Sequence, residues 1–259
     1  MTAVDPYVRR GYSAYWKARG KSTYVDLADP ATRRVKAEKI VAVLKHAAGR
    51  DLDQLRCLDL GCASGAIAAV LAEDFQEVVG ADPDPDAIGE ATQRHQHANL
   101  RFVRAASADD LSLGGPFDVI VCNHVYEHVH DQRGLVGGIR RALAKDGLVY
   151  FSAGNALMMI EGHYGLPFLS WLPAGLATAY VRATGRSSEY LERHLTLAGL
   201  QSLLSDFAIE DYTTRILACP RQFASGDLAP PFLSPRLTAA LAIAIYPLLP
   251  TYVWILRHR

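Results

Sequence analysis

Short apolar runs alternate with longer segments of helical spacing between residues 56 and 154. CLDL (57–60), EVVGA (77–81), LRFV (100–103), FDVIV (117–121) and LVYFS (148–152) are too short for helices and rich in Val, Ile and Leu, so each predicts a strand. Between them, AIAAVLAE (66–73), PDAIGEATQRHQ (85–96) and DQRGLVGGIRRALA (131–144) have helix-compatible spacing, although Gly137–Gly138 weakens the third. Such alternation predicts a parallel sheet covered by helices on both faces. Upstream, Thr32 is placed to cap a helix reaching about Ala48, with Val35, Ile40, Val41 and Leu44 as its apolar stripe and Gly49 as its stop. Residues 1–30 are aromatic and basic without a clean period and predict an irregular or short-helical lead-in.

Beyond Gly154 the alternation stops. No Asp, Glu, Lys or Arg stands between Glu161 and Arg182, where the chain reads GHYGLPFLSWLPAGLATAYV. Residues 189–206 predict another helix and FAIEDYTTRI (207–216) a strand. A second uncharged run, LTAALAIAIYPLLPTYVWIL (237–256), has the length of a bilayer span, but Pro247 and Pro250 interrupt it.

Composition narrows the class. The 259 residues are 50% hydrophobic, and 27 Lys+Arg balance 27 Asp+Glu. That combination excludes a disordered chain and argues against a nucleic-acid partner, which calls for a basic excess. The length suits one large α/β domain or two small ones, and the lack of repeats and low-complexity linkers favours one. Four cysteines (Cys57, Cys62, Cys122, Cys219) with no CxxC pair predict buried reduced thiols rather than a disulfide scaffold or a zinc site. The start has no apolar core of a secretory signal. Mean hydropathy is slightly positive at +0.05, and the surplus lies in the two uncharged segments after Gly154.

The first strand runs into Asp59-Leu60-Gly61-Cys62-Ala63-Ser64-Gly65 and then directly into a helix. A small-residue loop there lets the backbone approach a ligand and aims a helix N-terminus at it. The second strand ends at Asp82, 21 residues beyond Gly61, placed to accept hydrogen bonds from two ribose hydroxyls. Two cofactor classes use this geometry. A dinucleotide fingerprint needs G-x-G-x-x-G, and here those positions are Gly61, Ala63 and Ala66.

LDLGCASGAIAAVLA, VVGADPDPDAI and FDVIVCNHVYEHV together resemble the class I S-adenosylmethionine-dependent methyltransferases of the type 11/12 kind, over roughly Gln54–Asn155. The resemblance implies an α/β, Rossmann-like, doubly wound sheet of seven strands. Its last strand is antiparallel, matched here by TYVWILRHR, and helical apolar insertions follow strands five and six. The long run then divides into an apolar helix over Ser234–Tyr246, a turn at Pro247–Pro250 and a strand over Thr251–Arg257. The resemblance further implies S-adenosylmethionine as cofactor. Asp59 and the loop Gly61, Cys62, Ala63, Gly65 would hold its methionine part, and Asp82 with Pro83 beside it the ribose. Ser107 and Ala108 would meet the adenine edge, and Asn123 and His124 would lie near the sulfonium. Ala63 departs from the usual central glycine, and Ser107 stands where an Asp is common.

An oxygen acceptor needs a base near its proton, and histidine is the usual one. His124, His128, His130 and His163 are candidates; Glu127-His128 matches the family's common pair after strand four. His163 follows the fifth strand, where this fold inserts its acceptor-binding segment, and Glu161 stands two residues away as an orienting carboxylate. The expected catalytic set is therefore His163, Glu161 and His128. No metal cluster with ligand spacing appears, and Asn123-His124-Val125-Tyr126 replaces the (N/D)-P-P-(Y/F) of base-amino methyltransferases.

The expectation is a cytoplasmic methyltransferase forming an O-methyl product on a hydrophobic or lipid-linked small molecule or glycan. Residues 1–50 form a helical lead-in or lid, 51–155 the cofactor-binding core, and 156–259 the acceptor-binding insertion with the C-terminal strands. The segments 164–181 and 234–246 either roof the acceptor pocket or rest on a membrane surface, where Trp171, Tyr180, Tyr246, Tyr252 and Trp254 are the favoured residue types. Two alternatives stay open: a catalytically silent scaffold of the same fold at a membrane, and an NAD-dependent oxidoreductase. Nothing in the sequence fixes the oligomeric state.

Overall fold

The computed structural model describes residues 30–226 and 233–259; the lead-in before Pro30 lies outside them. In chain order the elements are α1 (Pro30–Ala48), β1 (Arg56–Leu60), α2 (Ala66–Leu71), β2 (Glu77–Asp82), α3 (Pro85–Arg94), β3 (Leu100–Arg104), β4 (Phe117–Asn123), α4 (Gln132–Ala142) and β5 (Leu143–Gly154). Then come β6 (Ile160–Glu161), β7 (Leu166–Pro167), α5 (Ala174–Ala183), α6 (Leu197–Leu203), β8 (Phe207–Asp211), α7 (Thr213–Ala218), α8 (Pro235–Ala244) and β9 (Thr251–His258). Seven strands form one sheet in the order β3-β2-β1-β4-β5-β9-β8. All neighbours pair parallel except β9, which runs antiparallel between β5 and β8. This is the expected doubly wound sheet with insertions after strands five and eight; the latter is the sixth strand of the main sheet.

Side chains alternate across the strands, so each face of the sheet has its own core. Leu58, Leu60, Ile120, Cys122 and Phe151 pack on one side; Cys57, Val78, Val119, Val121 and Tyr150 pack on the other. Two covered faces explain why the strands read as unbroken apolar runs. The glycine pair in α4 does not break that helix. A Cβ on Gly138 would lie 2.7 Å from Ser107 Oγ, so the helix uses the glycine to approach the loop after β3.

Several local readings change. Among the described residues the first helix covers Pro30–Ala48, so Thr32 lies within it rather than capping it. Its buried stripe is Ala37, Ile40, Val41, Val43 and Leu44, with Val35 exposed. The helix expected over 189–206 shrinks to α6. Thr196 caps it through Gly199 N, while the Leu195 amide is drawn away to the Tyr126 hydroxyl. The strand expected over 207–216 stops at Asp211, whose carboxylate accepts from the Thr213 and Thr214 amides and starts α7. Cys219 is exposed, unlike the other three thiols.

The C-terminal run divides as expected, with Ser234 capping α8, a 3-10 turn over Tyr246–Leu248 and then β9. Tyr252 and Trp254 stack on each other inside the core, which removes them from any interface. Fully buried Asn155 ties the end of β5 to this turn. Its Nδ2 donates to the Pro247 and Leu249 carbonyls at 2.9 and 2.8 Å.

Candidate active site

The C-terminal ends of β1, β4 and β5 open into one cavity, which α1 and the segment after β5 also line. The loop after β1 makes its floor. Gly61 and Gly65 both take left-handed backbone, at φ +75° and +78°. A Cβ on either would press within 2.7 Å of Val125 or 2.5 Å of Phe102. Ala63 shares that conformation (φ +48°) without being glycine. Such a residue costs about 1 kcal/mol or more and persists only where its surroundings hold it. Here Asp82 holds it: Ala63 N donates to Asp82 Oδ2 at 3.0 Å, and Asp84 N donates to Oδ1 at 2.9 Å.

Asp59 lies at the same floor, buried, and its Oδ2 has no hydrogen-bond partner among the described residues. Burial pushes its carboxyl up to about 7, with Arg33 opposing and the Asp82 charge adding. Burial also raises Asp82. A buried carboxylate oxygen without a partner is costly unless a ligand donor reaches it.

The loop after β4 makes the next wall. His124, at φ +55°, bridges Glu127 Oε1 (Nδ1, 2.9 Å) and Ser152 Oγ (Nε2, 3.1 Å). Glu127 is fully buried. Burial opposes its charge, but the His124 contact prevails and holds it at about 2, while its Oε2 has no partner among the described residues. Buried Tyr126 donates to the Gly154 carbonyl and accepts from Leu195 N, which fastens this loop to β5 and to the downstream segment.

That segment brings the third wall. Glu161, fully buried in β6, accepts at Oε1 from His163 Nδ1 (2.7 Å) and His194 Nε2 (3.2 Å). Its Oε2 accepts from the His163 and Tyr164 amides, both at 2.8 Å. Burial opposes the Glu161 charge, and the imidazole contacts overcome it, holding the group below the usual carboxylate range. Burial likewise works against charge on His163, but the Glu161 contact prevails and raises it to about 9. His128 stands edge-on to His163, ring centroids 4.8 Å apart. Burial, and then the His163 charge, push His128 down to about 3.

Of the residues singled out in the sequence, Asp59, Gly61, Cys62, Ala63, Asn123, His124, His128 and His163 line this cavity. Glu161 stands behind His163. Asp82 braces the loop from below, with Pro83 following it on the way to α3. Ser107, Ala108 and His130 are not among the lining residues. Sequence reasoning missed Arg33 and Lys36, whose only signal is a basic pair one helical turn apart, and His194, which has no local signal. It also found no metal-ligand spacing. Glu127, His128 and His163 nevertheless offer donor atoms within 4.8 Å of one another, as do Glu161, His163 and His194, so either trio is able to hold a cation.

Comparisons with known proteins bear on the family and the fold. A family model described as a methyltransferase domain matches residues 32–203. The ubiquinone biosynthesis O-methyltransferase of Rhizobium leguminosarum bv. trifolii is 31% identical over 157 residues, 59% of this chain and 61% of that protein. The one from Azorhizobium caulinodans is 29% identical over 192 residues, 68% and 75% of the two chains. The chain thus spans about three fifths of the first relative's length. Among solved structures, the plantazolicin methyltransferase BpumL, in complex with a triazolic desmethylPZN analog and SAH, superposes with a TM-score of 0.59. That match covers 98% of this chain and 94% of the other at 17% identity, a likeness of fold.

Proposed function

The chain belongs to the methyltransferase-domain family as a class I S-adenosylmethionine-dependent enzyme, and from that premise we propose that it methylates an oxygen of a hydrophobic or lipid-linked small molecule or glycan. The relatives named as O-methyltransferases support oxygen over nitrogen or carbon as the acceptor atom. The cavity supports the donor independently of any relative. Asp59 Oδ2 is a carboxylate oxygen orphaned among the described residues at the cavity floor, beside a loop that Gly61 and Gly65 let pack tightly on Val125 and Phe102. Asp59 and residues 61–65 would hold the amino-acid end of the donor and Asp82 its ribose. Ser107 and Ala108 would meet the adenine edge, and Asn123 and His124 would lie near the sulfur. When bound, S-adenosylmethionine supplies a methyl group on a sulfonium, open to in-line attack.

The observation that carries the catalytic reading is the contact between Glu161 and His163 at the cavity wall. Glu161 keeps His163 an imidazolium at neutral pH, which makes it a charge partner for a developing oxyanion rather than a proton acceptor. The base role that the sequence suggested for His163 therefore passes to His128, which is neutral beside it. An imidazolium next to the acceptor hydroxyl lowers the hydroxyl's own proton affinity, so a weak base suffices. His163, Glu161 and His128 thus act together as charge partner, positioning carboxylate and base.

Exposed apolar residues on the insertions favour a lipophilic acceptor met at a membrane surface. Phe168, Trp171 and Leu176 line the outside of one segment; Leu237, Leu241, Ile243, Ile245 and Leu248 line the other. The Phe168 and Trp171 rings meet edge to face at 5.1 Å, and Leu237, Leu241 and Ile245 stand four apart, the spacing of an interaction face. No helix among the described residues is long and apolar enough to cross a membrane. In this reading residues 30–50 flank the cofactor core of 51–155, and 156–259 supply the acceptor side. Transfer of an isotopically labelled methyl group to lipophilic hydroxyl compounds tests the proposal: label in an ether product supports it, and label confined to nitrogen or carbon overturns it.

A further inference from the structure

Ile160, in β6, lines the cavity and is also 50% exposed, so the cavity has an apolar lip at its mouth. It stands opposite Pro167 in the hairpin of β6 and β7. Phe168 comes next, and its amide donates to the Met159 carbonyl at 2.8 Å. The chain then turns back through a short 3-10 segment, Leu169–Trp171, toward the cavity's edge. There Trp171 Nε1 donates at 2.9 Å to the carbonyl of Met158, itself a lining residue. Ile160, Phe168 and Trp171 thus make an apolar strip that begins inside the cavity and continues outside it.

Phe168 is held in that strip at a cost. Its backbone is left-handed, at φ +56°, a conformation that glycine takes freely and a bulky side chain does not. Its ring is 45% exposed and rests edge to face on Trp171, which is as open, so burial offsets little of the strain. Strain kept where packing does not offset it points to a ligand rather than to folding. Continuity with the cavity says which ligand: a molecule whose polar, reacting end lies within and whose apolar chain leads out.

We propose that the acceptor carries an apolar chain that leaves the cavity over Ile160 and lies against Phe168 and Trp171. The inference rests on the lipophilic-acceptor reading above and adds to it a route and a shape, a hydroxyl head on a flexible chain rather than a compact apolar body. A membrane surface is the competing occupant of the two rings.

Indole fluorescence tests this with ω-bromododecanol, whose bromine quenches indole on contact and whose hydroxyl stands in for the acceptor's head. The unmodified chain, loaded with S-adenosylhomocysteine, is expected to be quenched saturably, and Trp171→Phe to lose that quenching. Affinity for unbranched primary alcohols is expected to rise about three- to fourfold per methylene from hexanol to decanol, the scale of apolar burial. Ile160→Asp, folded by its melting curve, abolishes both the rise and the quenching. Quenching that survives Ile160→Asp overturns the proposal, because the chain then reaches the rings without passing the mouth. So does the absence of quenching by the alcohol, or quenching of Trp171 only by vesicles of brominated phosphatidylcholine, which makes the rings a membrane contact. Since the readout is binding, it stands apart from the labelled-methyl test. Quenching without an ether product removes the oxygen-acceptor reading and keeps the route; an ether product without quenching removes the route alone.

Discussion

Glu161 Oε1 lies 2.7 Å from His163 Nδ1, and the carboxylate is fully buried. Because its second oxygen accepts two backbone amides, Glu161 cannot turn away from the imidazole. The pair fixes both the orientation of His163 and its charge, and that charge adds to burial in holding the neighbouring His128 neutral.

This relationship predicts a pH dependence of definite sign. His163 is raised from 6.5 to about 9, so its charge is fully present below 6.5 and lost as pH rises through about 9. Turnover at saturating donor is expected to hold through neutral pH and fall above about 9. Glu161→Gln removes the contact that raises His163 and leaves the burial that lowers it, so the falling limb moves toward or below 6.5. A rate that instead climbs toward pH 9 would return the base role to His163.

Asp82 holds the loop through the Ala63 and Asp84 amides, and in the proposed function it would also accept from the donor's ribose. Asp82→Ala removes an acceptor from the Ala63 and Asp84 amides as well as from the ligand. Affinity for S-adenosylhomocysteine is expected to drop by about ten- to a hundredfold, the loss of one or two charged hydrogen bonds. Calorimetry showing wild-type affinity in this variant contradicts the assignment of Asp82.

The two exposed apolar segments predict a membrane-surface contact. Leu241 and Ile245 are 49% and 51% exposed, so glutamate at both changes stability little while making this face polar. Wild-type protein is expected to sediment with lipid vesicles and the double variant to remain in the supernatant, with both melting alike. Equal sedimentation of the two proteins removes α8 from the contact.

Much of this was legible in the chain because it is local. The strands announce themselves as apolar runs, since both faces of the sheet are covered. The residues from Asp59 to Gly65 and Asp82 sit where strands end, and the pair Glu161 and His163 is two positions apart. What was not legible depends on contacts across the fold. His194 reaches Glu161 from 33 positions away, and Arg33 and Lys36 reach the cavity only because α1 packs on α2. The helix expected over 189–206 failed for the same reason: its first half is held extended by Tyr126 and by a bridge from Leu195 to Asn155. Tyr252 and Trp254 looked suited to an interface because their residue types are, but β9 turns them into the core.

The central claim is that His128 takes the acceptor's proton beside a charged His163. Single-turnover methyl transfer by His128→Ala, with donor bound at saturation, tests it most directly. The account predicts a rate lower by about a hundredfold or more, the usual contribution of a general base, with affinity for S-adenosylhomocysteine unchanged. A His128→Ala protein that transfers the methyl group at the wild-type rate contradicts it.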